Sequence, residues 1–424
     1  MSDLTVAIDA RLQSGVAGGV ESMVLGLASG LSRLEADGPE RYLFFSYDES
    51  VDWLAPFLAG PCSILSAGRL THASGIASRS RSILRRSAPR LYEALGSVPV
   101  LAGFRIPPPA RSDGRIERAG ADVMHFMSQG AFLTAVPNIY HPHDLQHVHL
   151  PQFFSRRQRA IRESRYRIFC RQAAMVAVAS SWTRWDLIGH YGLDPEKVKV
   201  MPWAPIVTEY PTPTESDLRD ARKRLRLPDR FILYPAQTWP HKNHIALLEA
   251  LALMKAERGM VVPLVACGHQ NDFFRVLERR AQDLGLADQV RWTGFVTPLE
   301  LQCLYRLATA VVVPTKFEAM SGPVAEAFAT GKPVACSNVT SLPGQVGDAA
   351  LLFEPDDPRQ IADAIARLWT DAELRELLIH RGLIRASSSS WGHAAQRFRA
   401  EYRRIAGRAL SEQDRAVLAE EPGT

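Results

Sequence analysis

The stretch TKFEAMSGPVAEAFATGKPV, residues 315–334, indicates the fold of the second half of this chain. Pro323 suits the first turn of a helix, and Gly331 followed by Pro333 ends that helix after about two and a half turns. The small residues 319–322 bring free backbone N–H groups to the start of the helix, where phosphate binds readily. The stretch therefore predicts a loop and helix that together form an anion site.

Two acidic residues flank this loop. Glu318 lies just before the predicted helix, and Glu326 lies in its first turn. Acidic side chains at these positions can simply complement the positive end of the helix dipole. Two carboxylates around an anion site also suit a ligand whose anion carries hydroxyl groups, such as those of a sugar. The pair therefore favours a ligand that combines phosphate with sugar hydroxyls.

Strand and helix signals alternate over most of the chain. Apolar strand runs occur at 4–11, 41–48, 121–127, 135–141, 173–180, 198–205, 230–237, 260–268, 289–295, 309–315 and 332–338. A Pro- and Thr-rich linker at 206–220 divides them into two sets. Repeated strand–helix units imply parallel sheets covered by helices. We therefore predict an α/β protein with two Rossmann-like domains facing across a cleft, where ligands bind beyond the carboxyl ends of the strands.

The composition is that of an ordinary globular protein. The chain has 424 residues, too many for one core, and 46% of them are hydrophobic and 22% charged. Its five cysteines are odd in number and lack C-x-x-C spacing, so we expect reduced cytosolic thiols rather than disulfides or a zinc site. No secretory signal is visible, and no apolar run reaches the roughly 18 residues that a membrane span needs. At most, a peripheral membrane contact is expected.

The net charge of +5 comes from unevenly placed arginines. Ten arginines and three acidic residues lie in 69–118, and seven arginines and one glutamate lie in 155–172. A basic face attracts nucleic acid, anionic lipid or acidic small molecules, but it can also simply keep a surface soluble. Nucleic acid is disfavoured because no recognition motif accompanies the charge.

Several motifs, taken in their order and spacing, resemble those of the retaining glycosyltransferases of the GT-B fold known as family four or group one. The segment FEAMSGPVAEA, residues 317–327, is similar to the E-x7-E signature of that family. The other similar motifs are AGGVES (17–22), HDL (143–145), PHKN (240–243), WTGFV (292–296) and SLPGQVGDAALLFEPDD (341–357). The resemblance covers almost the whole chain.

The resemblance also implies a domain organisation. Residues 1–205 would form an N-terminal Rossmann-like domain on the acceptor side, and residues 206–390 a C-terminal Rossmann-like domain that binds the nucleotide sugar. Residues 391–424 would form a helix and tail, with the helix crossing back to the N-terminal domain. This is the GT-B arrangement.

The resemblance assigns three residues to catalysis and nucleotide binding. Glu326 would hold the ribose hydroxyls, and Glu318 would hold hydroxyls of the donor sugar. Lys242 would neutralise the leaving phosphate, because a fixed ammonium stabilises the charge that develops on a departing nucleoside diphosphate.

Further residues are implied to bind the substrate. Backbone N–H groups around Ser321 and Gly322 would contact the diphosphate, together with Gly18 and Gly19 from the opposite domain. Val296 would lie in the turn on the nucleobase side. The two glycines in the N-terminal loop also suit a tight turn between strand and helix without any ligand contact.

Two positions depart from the family pattern. Many relatives carry an arginine five residues before the lysine, where this chain has Gln237, so the second phosphate cation is missing or supplied from elsewhere. The usual E-G-F-G is E-A-M-S here, and Met320 is expected to reshape the sugar pocket. Members of the family need no bound metal, and this chain contains no D-x-D motif, so we expect no metal cofactor.

The stretch HPHDLQHVHL, residues 141–150, contains four of the twelve histidines. His143 matches the family histidine that faces the donor sugar, where it would bind a hydroxyl and stabilise charge near the anomeric carbon. His141, His147 and His149 are interpreted as structural or solvated residues. A metal site is disfavoured because no carboxylates or cysteines accompany them at ligand spacing.

The predicted function is transfer of a hexose from a nucleotide sugar to a glycan or lipid-linked acceptor in bacterial surface polysaccharide synthesis, with retention of configuration. The motif forms PHKN and HDLQH favour GDP-mannose as the donor. The alternatives are a nucleotide-sugar epimerase or hydrolase on the same scaffold, and a two-domain solute-binding protein. We expect a cytoplasmic protein, and its arginine-rich N-terminal half fits contact with anionic lipid at the inner face of the membrane.

Overall fold

The structure is a computed structural model that describes residues 4–15, 18–34, 40–47, 51–68, 106–201 and 203–420. In these ranges the strands form two sheets in which every pairing is parallel. Helices cover both sheets, as the repeated strand–helix pattern predicted. The α/β class and the two Rossmann-like domains are therefore confirmed.

The first sheet contains the strands β1 Leu4–Asp9, β2 Glu40–Ser46, β3 Cys62–Ser66, β4 Val123–Phe126, β5 Asn138–Tyr140, β6 Met175–Val178 and β7 Val198–Val200. Their order is β3-β2-β1-β4-β5-β6-β7. In the central strand β1, Val6 pairs with Tyr42 on one side and Val123 on the other. All six residues of β1 are buried, which explains its continuous rather than alternating apolar run.

The second sheet contains the strands β8 Ile232–Pro235, β9 Leu264–Cys267, β10 Val290–Gly294, β11 Ala310–Val313, β12 Val334–Ser337 and β13 Ala350–Phe353. Their order is β10-β9-β8-β11-β12-β13. In each sheet the order reverses beside the first strand of the set, and ligands bind at the carboxyl ends of strands next to such a reversal.

Two strands were missed by the sequence interpretation, which left 60–120 irregular and treated 341–357 as a segment flanking a helix. They are β3 and β13, and each pairs with one neighbour only, at an edge of its sheet. An edge strand is partly exposed, so the serines of β3 are tolerated and its sequence shows no buried apolar run.

The helices are α1 Gly19–Ser32, α2 Arg115–Arg118, α3 Gln146–His149, α4 Arg156–Gln172, α5 Ser181–Tyr191, α6 Glu215–Arg224, α7 His244–Arg258, α8 Phe274–Asp283, α9 Pro298–Leu307, α10 Gly322–Ala329, α11 Leu342–Val346, α12 Pro358–Thr370, α13 Ala372–Ser387, α14 Trp391–Ile405 and α15 Glu412–Ala419. Short 3-10 turns occur at Ala55–Phe57, Pro151–Phe153, Ile206–Glu209 and Pro240–Lys242. The predicted linker ends where Thr214 and Asp217 form a capping box at the start of α6.

The helix α14 packs against α1, as expected for a helix that crosses back to the first domain. Trp391, Phe398 and Tyr402 belong to the same hydrophobic core as β1. A side chain on Gly26 would overlap the Trp391 indole, so the glycine permits close contact between the two helices. The predicted crossover is confirmed.

Other global expectations have mixed outcomes. All five cysteines are unpaired and buried. Among the described residues, no helix is both long and apolar enough to cross a membrane. Most of the arginine-rich segment 69–118 lies outside the described residues, so its predicted contact with anionic partners stays a prediction.

Candidate active site

A cleft of about 1770 Å³ lies between the carboxyl ends of the strands of the two sheets, and residues from both halves of the chain line it. The predicted site residues that line the cleft are Gly18, Gly19, His143, Gln237, Lys242, Val296, Glu318, Gly322 and Glu326. Ser321 does not. The structure thus gathers nine of the ten predicted residues around one space, although they are spread over most of the chain.

Glu326 lies on α10 with its carboxylate turned into the protein. Its Oε2 accepts a hydrogen bond of 2.6 Å from the hydroxyl of Tyr305 on α9. Burial raises the pKa of Glu326, although the Tyr305 hydrogen bond opposes that rise by favouring the charged form. Tyr305 was not identified from the sequence, because a tyrosine in an apolar helix resembles an ordinary core residue.

The backbone of Glu318 is held by the loop that follows β12. Its N–H donates to Thr340 Oγ1 at 3.1 Å, and its carbonyl accepts from the hydroxyls of Thr340 and Ser341 at 2.6 and 2.9 Å. Thr340 has a φ of 50°, a left-handed conformation that is uncommon for a residue other than glycine. The loop therefore fixes the position from which the Glu318 side chain enters the cleft.

Lys242 ends a 3-10 turn just before α7. Its Nζ donates to Glu318 Oε1 at 2.6 Å, so the cation and the carboxylate form an ion pair across the cleft wall. The carbonyl of Lys242 accepts from the Tyr234 hydroxyl at 2.7 Å. The next residue, Asn243, donates from Nδ2 to the carbonyls of Pro314 and Pro355 at 2.9 and 2.7 Å. These bonds hold the turn, and hence the ammonium group, in place.

The glycine loop of the first half approaches the second half at Gln237. Gly18 has a φ of 58°, and a Cβ there would lie 3.1 Å from Gln237 Nε2. The other amide atom, Gln237 Oε1, accepts from Trp239 Nε1 at 2.7 Å. The position of the family's arginine therefore presents an uncharged amide to the glycine loop, and the second phosphate cation is missing or supplied from elsewhere.

Val296 lines the cleft from the turn after β10. It is half-buried against the second core, whereas the neighbouring Phe295 is 65% exposed. A Cβ on Gly15 would contact the Phe295 ring at 3.6 Å. The aromatic ring next to Val296 is thus available to a flat ligand group.

The expected role of the Ser321 N–H is not supported by the structure. This N–H donates to Gln345 Oε1 at 2.9 Å, and the Ser321 carbonyl accepts from Gln345 Nε2 at 2.8 Å. Ser321 is fully buried, so its N–H is not available to a diphosphate. Gly322 does face the cleft, and a Cβ built on it would meet nothing within 4 Å. Of these two residues only Gly322 faces the cleft, and its contact with a phosphate stays a prediction.

His143 lies beyond the end of β5 in a left-handed conformation, with φ of 64°. Its Nε2 is 2.9 Å from the carbonyl oxygen of Met127. A carbonyl only accepts hydrogen bonds, so Nε2 must carry the proton and Nδ1 must carry the lone pair. Burial lowers the pKa of His143, which favours this neutral form. The ring can therefore accept a hydrogen bond from a ligand hydroxyl.

The other three histidines of the stretch have protein partners. His141 shares a hydrogen bond of 2.8 Å with His125, which in turn is 2.6 Å from the hydroxyl of Tyr402 on α14. Burial lowers the pKa of His125 to about 3, so this buried pair is neutral. His147 Nε2 lies 3.2 Å from Glu163 Oε2, and His149 Nε2 lies 2.8 Å from Asp186 Oδ1. Within the described ranges, no group of three or more His, Cys, Asp or Glu side chains could hold a metal ion.

Comparison with known proteins assigns the family. The model of "Glycosyl transferases group 1" matches residues 217–383, and that of "Glycosyltransferase Family 4" matches residues 69–204. The O-antigen chain mannosyltransferase B of Escherichia coli is 35% identical over 165 residues, which are 38% of this chain and 42% of the relative. A D-inositol 3-phosphate glycosyltransferase of Corynebacterium glutamicum (strain R) is 28% identical over 256 residues, 57% of this chain and 60% of the relative. The chain thus matches less than two thirds of the length of these relatives.

Solved structures resemble the fold over nearly the full length. Anabaena Alr3699/HepE in complex with UDP and glucose has a TM-score of 0.67 at 18% identity, covering 94% of this chain and 99% of that one. WaaG, a glycosyltransferase involved in lipopolysaccharide biosynthesis, has a TM-score of 0.63 at 15% identity, covering 95% and 100%. Two family models and the shared architecture lead to one conclusion: this chain belongs to the family-four, group 1 glycosyltransferases of the GT-B fold.

Proposed function

We propose that this protein transfers a hexose from a nucleotide sugar to a glycan or lipid-linked acceptor, with retention of configuration, in bacterial surface polysaccharide synthesis. The observation that carries the proposal is that the ion pair of Lys242 and Glu318 and the buried Glu326 line the same cleft. A cation and two carboxylates around an anion site match a ligand with both phosphate and sugar hydroxyls.

The leaving group of such a transfer is a nucleoside diphosphate that gains negative charge as the sugar departs. The ammonium of Lys242 and the start of α10 at Gly322 would stabilise that charge in the transition state. Glu326, oriented by Tyr305, would accept hydrogen bonds from the ribose hydroxyls. Glu318 would do the same for the sugar, sharing its charge with Lys242.

His143 would act on the sugar from the opposite half of the cleft. Its Nε2–H donates to Met127, so Nδ1 is the atom that would accept a hydrogen bond from a hydroxyl of the donor sugar. A fixed acceptor near the anomeric carbon favours the positive charge that develops there. Because the ring is neutral, it supplies a dipole rather than a full charge.

The alternatives are weaker on the same geometry. A glycoside hydrolase needs two acids facing each other about 5 to 9.5 Å apart across the bond that is cleaved. Glu318 and Glu326 come from one loop–helix segment, and Glu318 is engaged by Lys242. A solute-binding protein would not need a lysine held against a carboxylate at an anion site. Epimerase activity is tested by the transfer assay described below.

GDP-mannose is the proposed donor, and no metal cofactor is proposed. Support for mannose comes from the names of relatives, which include the O-antigen chain mannosyltransferase B and the serotype-specific mannosyltransferase WbdA of Escherichia coli. A cytoplasmic location, with the basic N-terminal half in contact with anionic lipid, is part of the same proposal.

A thermal-shift panel of GDP, UDP and dTDP tests the donor, and a transfer assay with the matching nucleotide sugar tests the reaction. We expect GDP to stabilise the protein most and GDP-mannose to be consumed only when an acceptor is present. Consumption without an acceptor would indicate hydrolysis, and a change of sugar stereochemistry would indicate epimerisation. Absence of stabilisation by any of the three nucleotides would refute the proposal.

A further inference from the structure

Arg162 places an uncompensated cation in the wall of the cleft. It lies on α4 in the N-terminal half and lines the cleft together with Gln158, Phe153 and Phe154. No residue in the described part of the chain forms an ion pair or a hydrogen bond with it, and its Nη1 is shielded from solvent. A buried donor without an acceptor is unfavourable, so a ligand is expected to supply the acceptor.

The acidic residue next to it does not neutralise this charge. The carboxylate of Glu163 is engaged by other side chains, with contacts of 2.9 Å to Arg167, 3.2 Å to His147 and 3.2 Å to His190. Since its oxygens contact these groups and form no ion pair with Arg162, Glu163 does not serve as the counter-charge of the Arg162 guanidinium.

The start of α4 concentrates positive charge in the same place. Its first seven residues include Arg156, Arg157, Arg159 and Arg162, and its first turn contains no acidic residue. The N-terminus of a helix is already positive, so arginines there oppose the helix dipole. An anion bound at this end of the helix would relieve both effects.

The guanidinium packs against an aromatic ring. Its Cζ lies 4.8 Å from the centre of the Phe154 ring, a cation–π contact that holds the group against the wall of the cleft. Burial and the charges of Lys242 and Arg162 lower the pKa of His241 to about 3, so Arg162 acts electrostatically across the cleft. It faces the turn at 240–242 from the N-terminal half of the cleft.

We infer that Arg162 binds an anionic group, a phosphate or a carboxylate, of the acceptor substrate. The inference rests on the proposed function and adds the charge of the acceptor to it. Arg162 enters from the half that is proposed to hold the acceptor, and its guanidinium presents the paired donors that suit such groups. The acceptor is therefore a phosphorylated or acidic sugar compound rather than a neutral one.

A phosphorus NMR titration with inorganic phosphate tests this, using protein saturated with the nucleoside diphosphate that binds best, so that the donor site is filled. Glucose serves as the uncharged comparison in a saturation-transfer experiment. The variants are Arg162→Gln, Arg162→Lys and the matched control Arg165→Gln, which changes an exposed arginine on the same helix.

We expect saturable phosphate binding in the wild type and in Arg165→Gln, and a loss of about tenfold or more in Arg162→Gln, the size of one charge-assisted hydrogen bond. Arg162→Lys should keep part of the affinity and shows the effect if the glutamine variant does not fold. Nucleotide affinity should be equal in all variants.

Three results would overturn the inference: phosphate binding that is unchanged in Arg162→Gln, no saturable phosphate binding in the wild type, or weakened nucleotide binding in Arg162→Gln. The last would assign the cation to the donor diphosphate and leave the proposed function intact. A wild type that binds no nucleotide at all would instead refute the proposed function, and the acceptor assignment with it.

Discussion

Replacement of His143 by alanine is expected to slow transfer by about a hundredfold while leaving nucleotide binding unchanged. The structure limits the ring to one ligand contact, because Nε2–H already donates to Met127 and only Nδ1 is free to accept. Loss of one hydrogen bond made in the transition state costs roughly 3 kcal/mol, which is about two powers of ten in rate. Loss of the Met127 bond removes only about 1 kcal/mol from the free energy of unfolding, so the variant should fold.

The assay is single-turnover transfer with saturating GDP-mannose, together with a measurement of GDP affinity. The controls are His147→Ala and His149→Ala, whose rings contact Glu163 and Asp186. Both should stay within a few-fold of the wild-type rate. If either control is as slow as His143→Ala, the four histidines act as a cluster and the argument from the single free nitrogen is wrong.

Three further predictions concern the carboxylates of Glu318 and Glu326 and the expected independence of the reaction from metal ions. Glu326→Ala should weaken nucleotide binding more than Glu318→Ala does, and Glu318→Ala should mainly lower turnover. Calorimetry measures the nucleotide affinity, and equal affinities of the wild type and Glu326→Ala would contradict the assignment of Glu326 to the ribose. Glu326→Gln should raise the melting temperature near pH 7. The pKa of Glu326 is raised in the folded state, so ionisation of this carboxyl destabilises the folded protein as the pH rises. The gain in melting temperature should vanish in acid, where the wild-type carboxyl is protonated. Transfer activity should survive EDTA, whereas a loss on chelation that zinc restores would revive the histidines as a metal site.

Much of the architecture was predictable because its signals are local. Pro323 marks the start of the helix α10 and Gly331 follows its end, and the helix runs from Gly322 to Ala329 as expected. A proline at a helix start and a glycine with φ of 65° after its end depend on backbone geometry at those residues alone. The buried strands were equally visible, since parallel strands covered on both faces are apolar throughout.

The site was predictable in part, because the resemblance fixes which residues meet but not what else contacts them. Lys242 and Glu318 both line the cleft, but they are 76 residues apart in the sequence, and only the folded chain brings their side chains into an ion pair. The Ser321 N–H was expected to bind phosphate, but Gln345, 24 residues later, folds back to accept from it. No local pattern specifies such a partner.

The sequence by itself determined most of the buried strands and the helix α10, that two parallel sheets form, and that most of the motif residues gather in the cleft. Only the tertiary structure decided which hydrogen-bond partners, burial and pKa shifts those groups have. Tyr305 faces Glu326, and Tyr402 reaches His125 across 277 residues. Propensity and periodicity act over one or two turns of chain, whereas hydrogen bonding, burial and pKa depend on neighbours that only the packed fold brings together.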